Sequence, residues 1–447
     1  MMKIDDIVEL EIIDDSINGD GIAKLDSRIV FVPYTAKGDK VKAKIIKINK
    51  SEVVARVIKL IEASSYRREV DCSIYRVCGG CCLLHLDYMH QLEIKKRQVE
   101  NNLYKIAKIN KKVDKVVASN QFHYRNKIQL PIGQNDKGEI IVGYFKKNTH
   151  EIIEQGTCLL SKKEHEKVID IFLEFANFEK LSVYNESTGK GLLRHIMVRQ
   201  LGRIIYVTLV INGDNIQNLN KLYDRFIKAG ISGIAINLCI NKKKTNVILD
   251  GEIKTVYGDD AEKATILDAD IVASQKSFMQ VNSDVRNVLY KDAINLILEK
   301  KVNQLVECFS GVGVMTNVLA KNVNKVYTIE IEKKAVKDAN YNKTVNANFN
   351  ITNILGDANI EINKLSTQLD SFSLLVDPPR KGLMDSFIKN IIETKPENIF
   401  YISCDSATLA RDICLLKGYE IQQLNIYDMF PNTQHVECIA LIQRVKS

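Results

Sequence analysis

The sequence predicts a multidomain α/β protein, and three observations carry that reading. Five short strand-like runs with Gly-containing turns fill residues 1–58, the pattern of a small Greek-key β-barrel. Residues 59–271 hold a cysteine-rich stretch, a long helix and then mostly strands, which suits an α+β unit. Residues 272–447 alternate apolar strand-like runs with helical segments, the signature of a doubly wound parallel sheet. A chain of 447 residues has room for about three such units.

The composition narrows the function classes. Apolar residues make up 45% of the chain, enough to fill several cores. Lys and Arg outnumber Asp and Glu by 63 to 55, and the net charge of +8 admits a polyanionic partner. Ten cysteines are too sparse here for a disulfide scaffold. With no signal-peptide pattern in Met2-Lys3-Ile4-Asp5, they read as reduced thiols of a cytoplasmic protein. The longest apolar runs, such as Ile204–Ile211, fall far short of the roughly 20 residues a membrane helix needs.

In the first unit the strands are Val8–Ile13, a run opening at Ile22 after the Gly19-Asp20-Gly21 turn, Ile29–Pro33, Val41–Ile48 and Glu52–Val57. Strand alternation places Lys42 and Lys44 on one face, either a solvated surface or one that meets phosphates. By residue pattern the stretch resembles a TRAM domain, an OB-like module of RNA-modifying enzymes.

Next come Cys72, Cys78, Cys81 and Cys82, with Gly79-Gly80 letting the backbone wrap closely around a ligand. The spacing is not that of a zinc ribbon, and a fourth ligand has to come from afar; Cys158 is the well-placed candidate. Four thiolates suit an iron–sulfur cluster or zinc, with Cys82 an alternative to Cys81. Tyr88–Lys108 reads as a helix with an apolar stripe of Met89, Leu92, Val99, Leu103 and Ile106. Its other positions hold Lys95, Lys96, Arg97, Lys105 and Lys108, a basic face open to RNA. Strands follow at Tyr124–Pro131, Val142–Phe145 and Ile152-Ile153, then a hairpin of Arg194–Arg199 and Ile204–Ile211 around Gly202-Arg203. Leu219–Ala229 reads as a helix and Gly233–Ile240 as a strand.

The last unit opens with the helix Asp284–Lys300. The strand Gln304–Phe309 runs into Ser310-Gly311-Val312-Gly313 and a helix, and the strand Lys325–Glu330 ends in an acid. The helix Glu332–Asn342, the strand Ile351–Leu355 and the loop Gly356-Asp357-Ala358 come next. A Gly-x-Gly turn with an acid about 20 residues later suits a nucleoside cofactor. Gly311 and Gly313 let the backbone approach it, Glu330 holds ribose hydroxyls, and Asp357 accepts from an adenine amino group. The missing third glycine and the spacing favour S-adenosylmethionine over NAD. The strand Phe372–Val376 leads into Asp377-Pro378-Pro379-Arg380-Lys381-Gly382. The strand Asn398–Ile402 leads through Ser403-Cys404-Asp405 into the helix Ala407–Leu416. Cys404 thus sits where a strand ends and a helix begins, and helix-start N–H groups favour a thiolate there. The competing reading is a buried structural cysteine.

Taken together, Ser277–Asn282, Ser310–Gly313, Asp377–Gly382, Ser403-Cys404-Asp405 and Thr433-Gln434-His435-Val436-Glu437 closely resemble the bacterial RNA uracil-C5 methyltransferases, over essentially the whole chain. The resemblance implies a Rossmann-like methyltransferase unit binding S-adenosyl-L-methionine, with Gln280, Glu330 and Asp377 at the cofactor. It places Phe278 and Asp377 near the target base, Cys404 as nucleophile and Glu437 as base. It further implies a [4Fe–4S] cluster on Cys72, Cys78, Cys81 and Cys158, leaving out Cys82. The TRAM-like module and the cluster point within the family to 23S rRNA, acted on by a monomer. The chain departs from the family at Met279, at Glu307 where aspartate is usual, and at Ser310 where cysteine is usual.

The chemistry accounts for the residue types. Uracil C5 is too weak a nucleophile to attack a sulfonium methyl, and a thiolate adding to C6 makes C5 enolate-like. A base then removes the C5 proton so that the thiolate leaves. Bases in folded RNA are stacked, so the uridine has to flip out. The rival readings are a tRNA uridine-C5 methyltransferase and a noncatalytic RNA-binding protein. Intact Cys404, Glu437 and Gly311-Val312-Gly313 argue against the second.

Overall fold

The computed structural model describes residues 2–155 and 158–445. The N-terminal unit is a six-stranded sheet: β1 (Ile7–Glu11), β2 (Asp14–Asp15), β3 (Asp20–Leu25), β4 (Arg28–Pro33), β5 (Lys40–Ile48) and β6 (Val53–Glu62). The strand order is β1-β5-β6-β4-β3-β2, and β1 also approaches β3 across the core. Alternation along β5 buries Val41, Ala43 and Ile45 and turns Lys40 and Lys42 outward. The lysine row is partly neutralised, since Lys40 pairs with Glu62 and Lys44 with Asp5. The short β2 and the extension of β6 to Glu62 go beyond what the sequence pattern indicates.

Helix α1 (Tyr88–Asn102) is capped by Asp87, whose side chain accepts from the Met89 and His90 amides, and it runs into a π-helical turn, Leu103–Ala107. Leu92, Val99 and Leu103 are buried as expected, but Met89 is 70% exposed and Ile106 40%. Lys95, expected on a basic outer face, is instead buried, its Nζ 2.5 Å from Asp428 Oδ1. The helix is packed on more than one side, so a stripe read at a single spacing gives only part of its buried face.

After β7 (Lys115–Val117), the central unit comprises β8 (Lys127–Gln134), β9 (Ile140–Phe145), β10 (Ile152–Glu154), α2 (Lys163–Phe178), β11 (Leu193–Arg199), β12 (Ile205–Ile211), α3 (Leu219–Lys228), β13 (Ile234–Ile240) and β14 (Glu252–Tyr257). Its seven strands are ordered β10-β9-β8-β11-β12-β13-β14. Helices α2 and α3 bury Phe172, Phe175, Leu222 and Phe226 in one core with the strands.

The rest comprises β15 (Ala261–Ile266), β16 (Ala269–Ser274), α4 (Ser283–Glu299), β17 (Gln304–Cys308), α5 (Val314–Leu319), β18 (Lys325–Glu330), α6 (Lys333–Val345), β19 (Ile351–Leu355), α7 (Ala358–Ser366), β20 (Ser373–Val376), α8 (Asp385–Thr394), β21 (Asn398–Ser403), α9 (Ser406–Leu415), β22 (Tyr419–Tyr427) and β23 (Glu437–Arg444). The sheet order is β19-β18-β17-β20-β21-β23-β22-β7. Strands β17 to β21 are parallel, as the alternation predicts. The sheet as a whole is mixed, because β23 runs antiparallel to both β21 and β22. After β22 the chain returns directly through residues 428–436, with no helical crossover to keep the direction parallel. Apolar residues of the β15–β16 hairpin, α4 and α5 cover one face of this sheet; Val99 and Leu103 of the first helical segment join α7, α8 and α9 on the other. The C-terminal ends of the parallel strands stay free to carry a site.

Candidate active site

Three parallel strands deliver the site's backbone. Strand β17 ends in a turn where Phe309, Gly311 and Gly313 have positive φ, at 63°, 56° and 74°. At the end of β18, Glu330 accepts from the Gly311 amide at 2.9 Å and from the Glu332 amide at 2.9 Å, fastening two strand ends together. Strand β20 delivers Asp377 and, beyond two prolines, Arg380.

The register of β21 and β23 adds the decisive pair. Ser403 pairs with Cys438, so Cys404 and Glu437 leave neighbouring strands at the same edge. Both line a cavity of about 530 Å³, with Phe278, Gln280, Tyr290, Glu307, Glu330, Asp377 and Arg380. Glu437 is 2% exposed, and its Oε2 has no hydrogen-bond partner. The Ser310 hydroxyl, also in the cavity wall, is likewise buried and unpartnered. Phe278 stands 77% exposed at the cavity.

The electrostatics run against one expectation. Asp405 caps α9, its Oδ1 accepting from the Ala407 and Thr408 amides at 2.9 Å each. The Ala407 and Thr408 amides are therefore engaged by Asp405 rather than free to face Cys404. Burial, with Glu437 and Asp377 nearby, pushes the Cys404 thiol up to about 11, against the pull of Arg380. Burial raises Glu437 to about 8, helped by Asp377 and opposed by Arg380. Burial alone raises Asp377 to about 7. Glu307 also rises to about 8 by burial, although Thr316 donates to it. A thiol and three partly protonated carboxyl groups thus share one poorly solvated space.

Of the sequence-predicted residues, Gln280, Gly311, Glu330, Asp377, Cys404, Glu437 and Phe278 meet at this cavity. Gly313 and Asp357 stand outside its wall: Gly313 is the N-cap position of α5, and Asp357 caps α7 by accepting from the Asn359 amide. Tyr290, Phe309, Phe430 and His435 also line the cavity. His435 lies within the motif run ending at Glu437, a signal that could have found it; Tyr290, inside a helix, carries none.

The cysteines gather elsewhere. Cys72, Cys78, Cys81 and Cys158 line a second cavity of about 390 Å³, with Arg125, Tyr144 and Val281. Cys82 is not in its wall; it packs beside Ala36, Leu83 and Leu86. Among the described residues, no group of three or more His, Cys, Asp or Glu side chains could hold a metal ion as arranged. Gly156 and Thr157, just before Cys158, lie outside the described residues.

The sheet order, the Gly-rich turn after its first parallel strand and the cavity at the strand ends define an S-adenosylmethionine-dependent methyltransferase fold. The sequence model of the tRNA (uracil-5-)-methyltransferase family matches residues 87–445, and that of the TRAM domain matches residues 5–58. The chain is 39% identical to an uncharacterised RNA methyltransferase of Clostridium acetobutylicum, over 97% of this chain and 96% of that one. It is 34% identical to one of Halalkalibacterium halodurans, over 98% and 97%. Its structure resembles that of the Pyrococcus abyssi tRNA (uracil-54, C5)-methyltransferase in complex with S-adenosyl-L-homocysteine, with a TM-score of 0.77 and 27% identity over 97% and 99% of the two chains. The chain belongs to the tRNA (uracil-5-)-methyltransferase family and carries an N-terminal TRAM domain.

Proposed function

We propose that the protein makes 5-methyluridine in 23S rRNA through a covalent bond between Cys404 and uridine C6. The observation that carries the chemistry is the placement of Cys404 and Glu437 at adjacent strand ends on one cavity. When bound, S-adenosylmethionine supplies an electrophilic methyl group. The unpartnered Ser310 hydroxyl and the Glu330 carboxylate at the cavity fit a polar nucleoside cofactor. Gln280, Gly311, Glu330 and Asp377 line the same space; Gly313 and Asp357, outside its wall, stand at the N-caps of α5 and α7. The exposed ring of Phe278 suits a flipped-out base.

Cys404 gives up its proton to solvent and its sulfur bonds to C6, the C5–C6 π pair moving onto C5 and the adjoining C4 carbonyl oxygen. C5 would take the methyl group from the bound cofactor, whose sulfur would keep the electron pair of the broken bond and leave as a neutral thioether. Glu437 then removes the C5 proton, the C6–S bond breaks, and the thiolate is regenerated. A carboxyl group near 8 is a stronger base than an ordinary carboxylate, and burial supplies that strength here.

The choice of RNA rests on likeness to the 23S-directed branch. A tRNA substrate is the second reading, favoured by the Pyrococcus abyssi neighbour, which covers 97% of this chain and so spans most of the TRAM region too. Labelled S-adenosylmethionine given with separate rRNA and tRNA pools decides between them: label in 23S rRNA is expected, and label confined to tRNA overturns that choice.

We assign Cys72, Cys78, Cys81 and Cys158 to a [4Fe–4S] cluster. Four thiols lining one cavity are the donor type such a cluster takes, although among the described residues they are not drawn together as a metal site. The proposed units are residues 1–58, 59–271 and 272–447, with the helix Tyr88–Asn102 packed against the last of them. The enzyme is proposed to act as a cytoplasmic monomer.

A further inference from the structure

The return between β22 and β23 carries the chain to Glu437 without helix or strand, yet it is held from several directions. Lys95 bonds Asp428 at 2.5 Å and the Phe430 carbonyl at 3.1 Å, and Asn282 bonds the Met429 carbonyl at 3.3 Å. The strongest concentration of bonds is at Asn432. Its φ is +67°, a left-handed conformation that asparagine tolerates better than most residues, and it is 0% exposed.

Every polar atom of Asn432 is used. Its amide N–H donates to Gln91 Oε1 at 3.0 Å. Its Oδ1 accepts from Arg68 Nη2 at 2.9 Å and from Gln91 Nε2 at 3.2 Å. Its Nδ2 donates to the Gln121 carbonyl at 2.9 Å. Its carbonyl accepts from the amides of Cys82 and Leu83, at 3.1 and 3.0 Å.

One of the segments at the other end of these bonds, Cys82-Leu83, lies outside the cysteine cavity but directly follows its wall. Cys81, in that cavity's wall, is covalently next to Cys82. A second connection runs through the Ser277–Asn282 stretch: Val281 lines the cysteine cavity while Gln280 and Met279 line the catalytic one. Asn126 fixes that stretch, donating to the Val281 and Gln280 carbonyls at 2.8 and 3.1 Å.

We infer that Asn432 is a positioning residue: its side-chain bonds hold in place the carbonyl that receives the Cys82 and Leu83 amides, and so fix the chain leading to Glu437 against the segment that follows Cys81. The catalytic consequence rests on the proposed role of Glu437; the mechanical link does not. The side chain joins three separate parts of the chain, at Arg68, Gln91 and Gln121, and the carbonyl joins a fourth at Cys82-Leu83. A loop with no regular structure has no other repeating bond pattern to hold it.

The test uses the full-length protein and two variants. Asn432→Gly keeps the left-handed backbone accessible and removes the side-chain bonds; Asn432→Asp keeps the acceptor to Arg68. Amide exchange is read at Cys82, Leu83 and residues 434–437. Asn432→Gly is expected to speed exchange there at least tenfold, with the central-sheet amides unchanged, and Asn432→Asp is expected to restore most of the protection. In single-turnover assays Asn432→Gly is expected to slow release of the RNA at least tenfold while methyl transfer stays within threefold. Wild-type exchange at those amides overturns the link, as does equal slowing of both steps by a protein with wild-type melting behaviour. Should exchange rise as expected while Glu437→Gln fails to slow release, the link stands and the base assignment is what fails.

Discussion

Cys404 and Glu437 stand side by side because Ser403 and Cys438 are cross-strand partners in an antiparallel pair. The sheet thus fixes this thiol and this carboxyl group by backbone register, and it does so only because β23 runs against the parallel strands. Burial first, and then the neighbouring Glu437, raises the thiol, and the proposed chemistry calls on the two groups at different stages.

Release of methylated RNA is expected to depend steeply on pH. Glu437, raised to about 8, is mostly protonated at pH 6 and cannot accept the C5 proton there. The release rate, measured in single turnover, rises about tenfold per pH unit up to near pH 8 and then flattens. A flat profile from pH 6 to 8 contradicts the assignment.

Stability of the free protein moves the opposite way. Glu437 rises from 4.5 to about 8 on folding, so between those values the folded chain keeps a proton that the unfolded chain has lost. That contribution is complete below the unfolded value and disappears as pH climbs through the folded one. Glu437→Gln cannot ionise and escapes the loss. Its melting temperature at pH 8 is expected to exceed that of the wild type by about 2–4 °C for each kcal/mol recovered, with the gap closing towards pH 5. Equal melting temperatures at both pH values would refute this.

Lys95 is expected to be structural. Lys95→Met leaves Asp428, already with one unpartnered oxygen, as a buried charge without a cation. Destabilisation of about 3–5 kcal/mol is expected in urea unfolding, and converting Asp428 to Asn as well recovers part of it. A loss of RNA affinity at unchanged stability would return Lys95 to the RNA-binding face.

The cysteines divide by cavity. Anaerobically purified protein is expected to absorb broadly in the visible range and to contain iron. Cys81→Ser loses both, whereas Cys82→Ser, whose sulfur stands outside the cavity wall, keeps them. A colourless, zinc-replete protein contradicts the cluster.

The parallel strands were legible in the sequence because each is a short buried run closed by a polar or glycine-rich turn, as at Ser310–Gly313 and Asp377–Gly382. Helices α2 and α8 were missed although both carry buried apolar residues at helical spacing, Val168, Phe172 and Phe175 in one and Phe387, Ile388 and Ile391 in the other. Lys95 could not be placed from its own helix, since its partner Asp428 lies 333 residues away. The Cys404 environment was misjudged for a similar reason: the cap by Asp405 and the proximity of Glu437 depend on tertiary placement that no local pattern encodes. Asn432 sits in a loop with no periodicity, and its role exists only through distant partners.

The central claim is a sulfur–carbon bond from Cys404 to uridine C6. The direct measurement incubates Glu437→Gln protein with RNA and S-adenosylmethionine, digests both polymers and sequences the cross-linked peptide by mass spectrometry. A methylated uridine attached to Cys404 is the predicted result, absent from a Cys404→Ala, Glu437→Gln double variant; a nucleotide on another residue, or methylated RNA with no attached peptide, contradicts it.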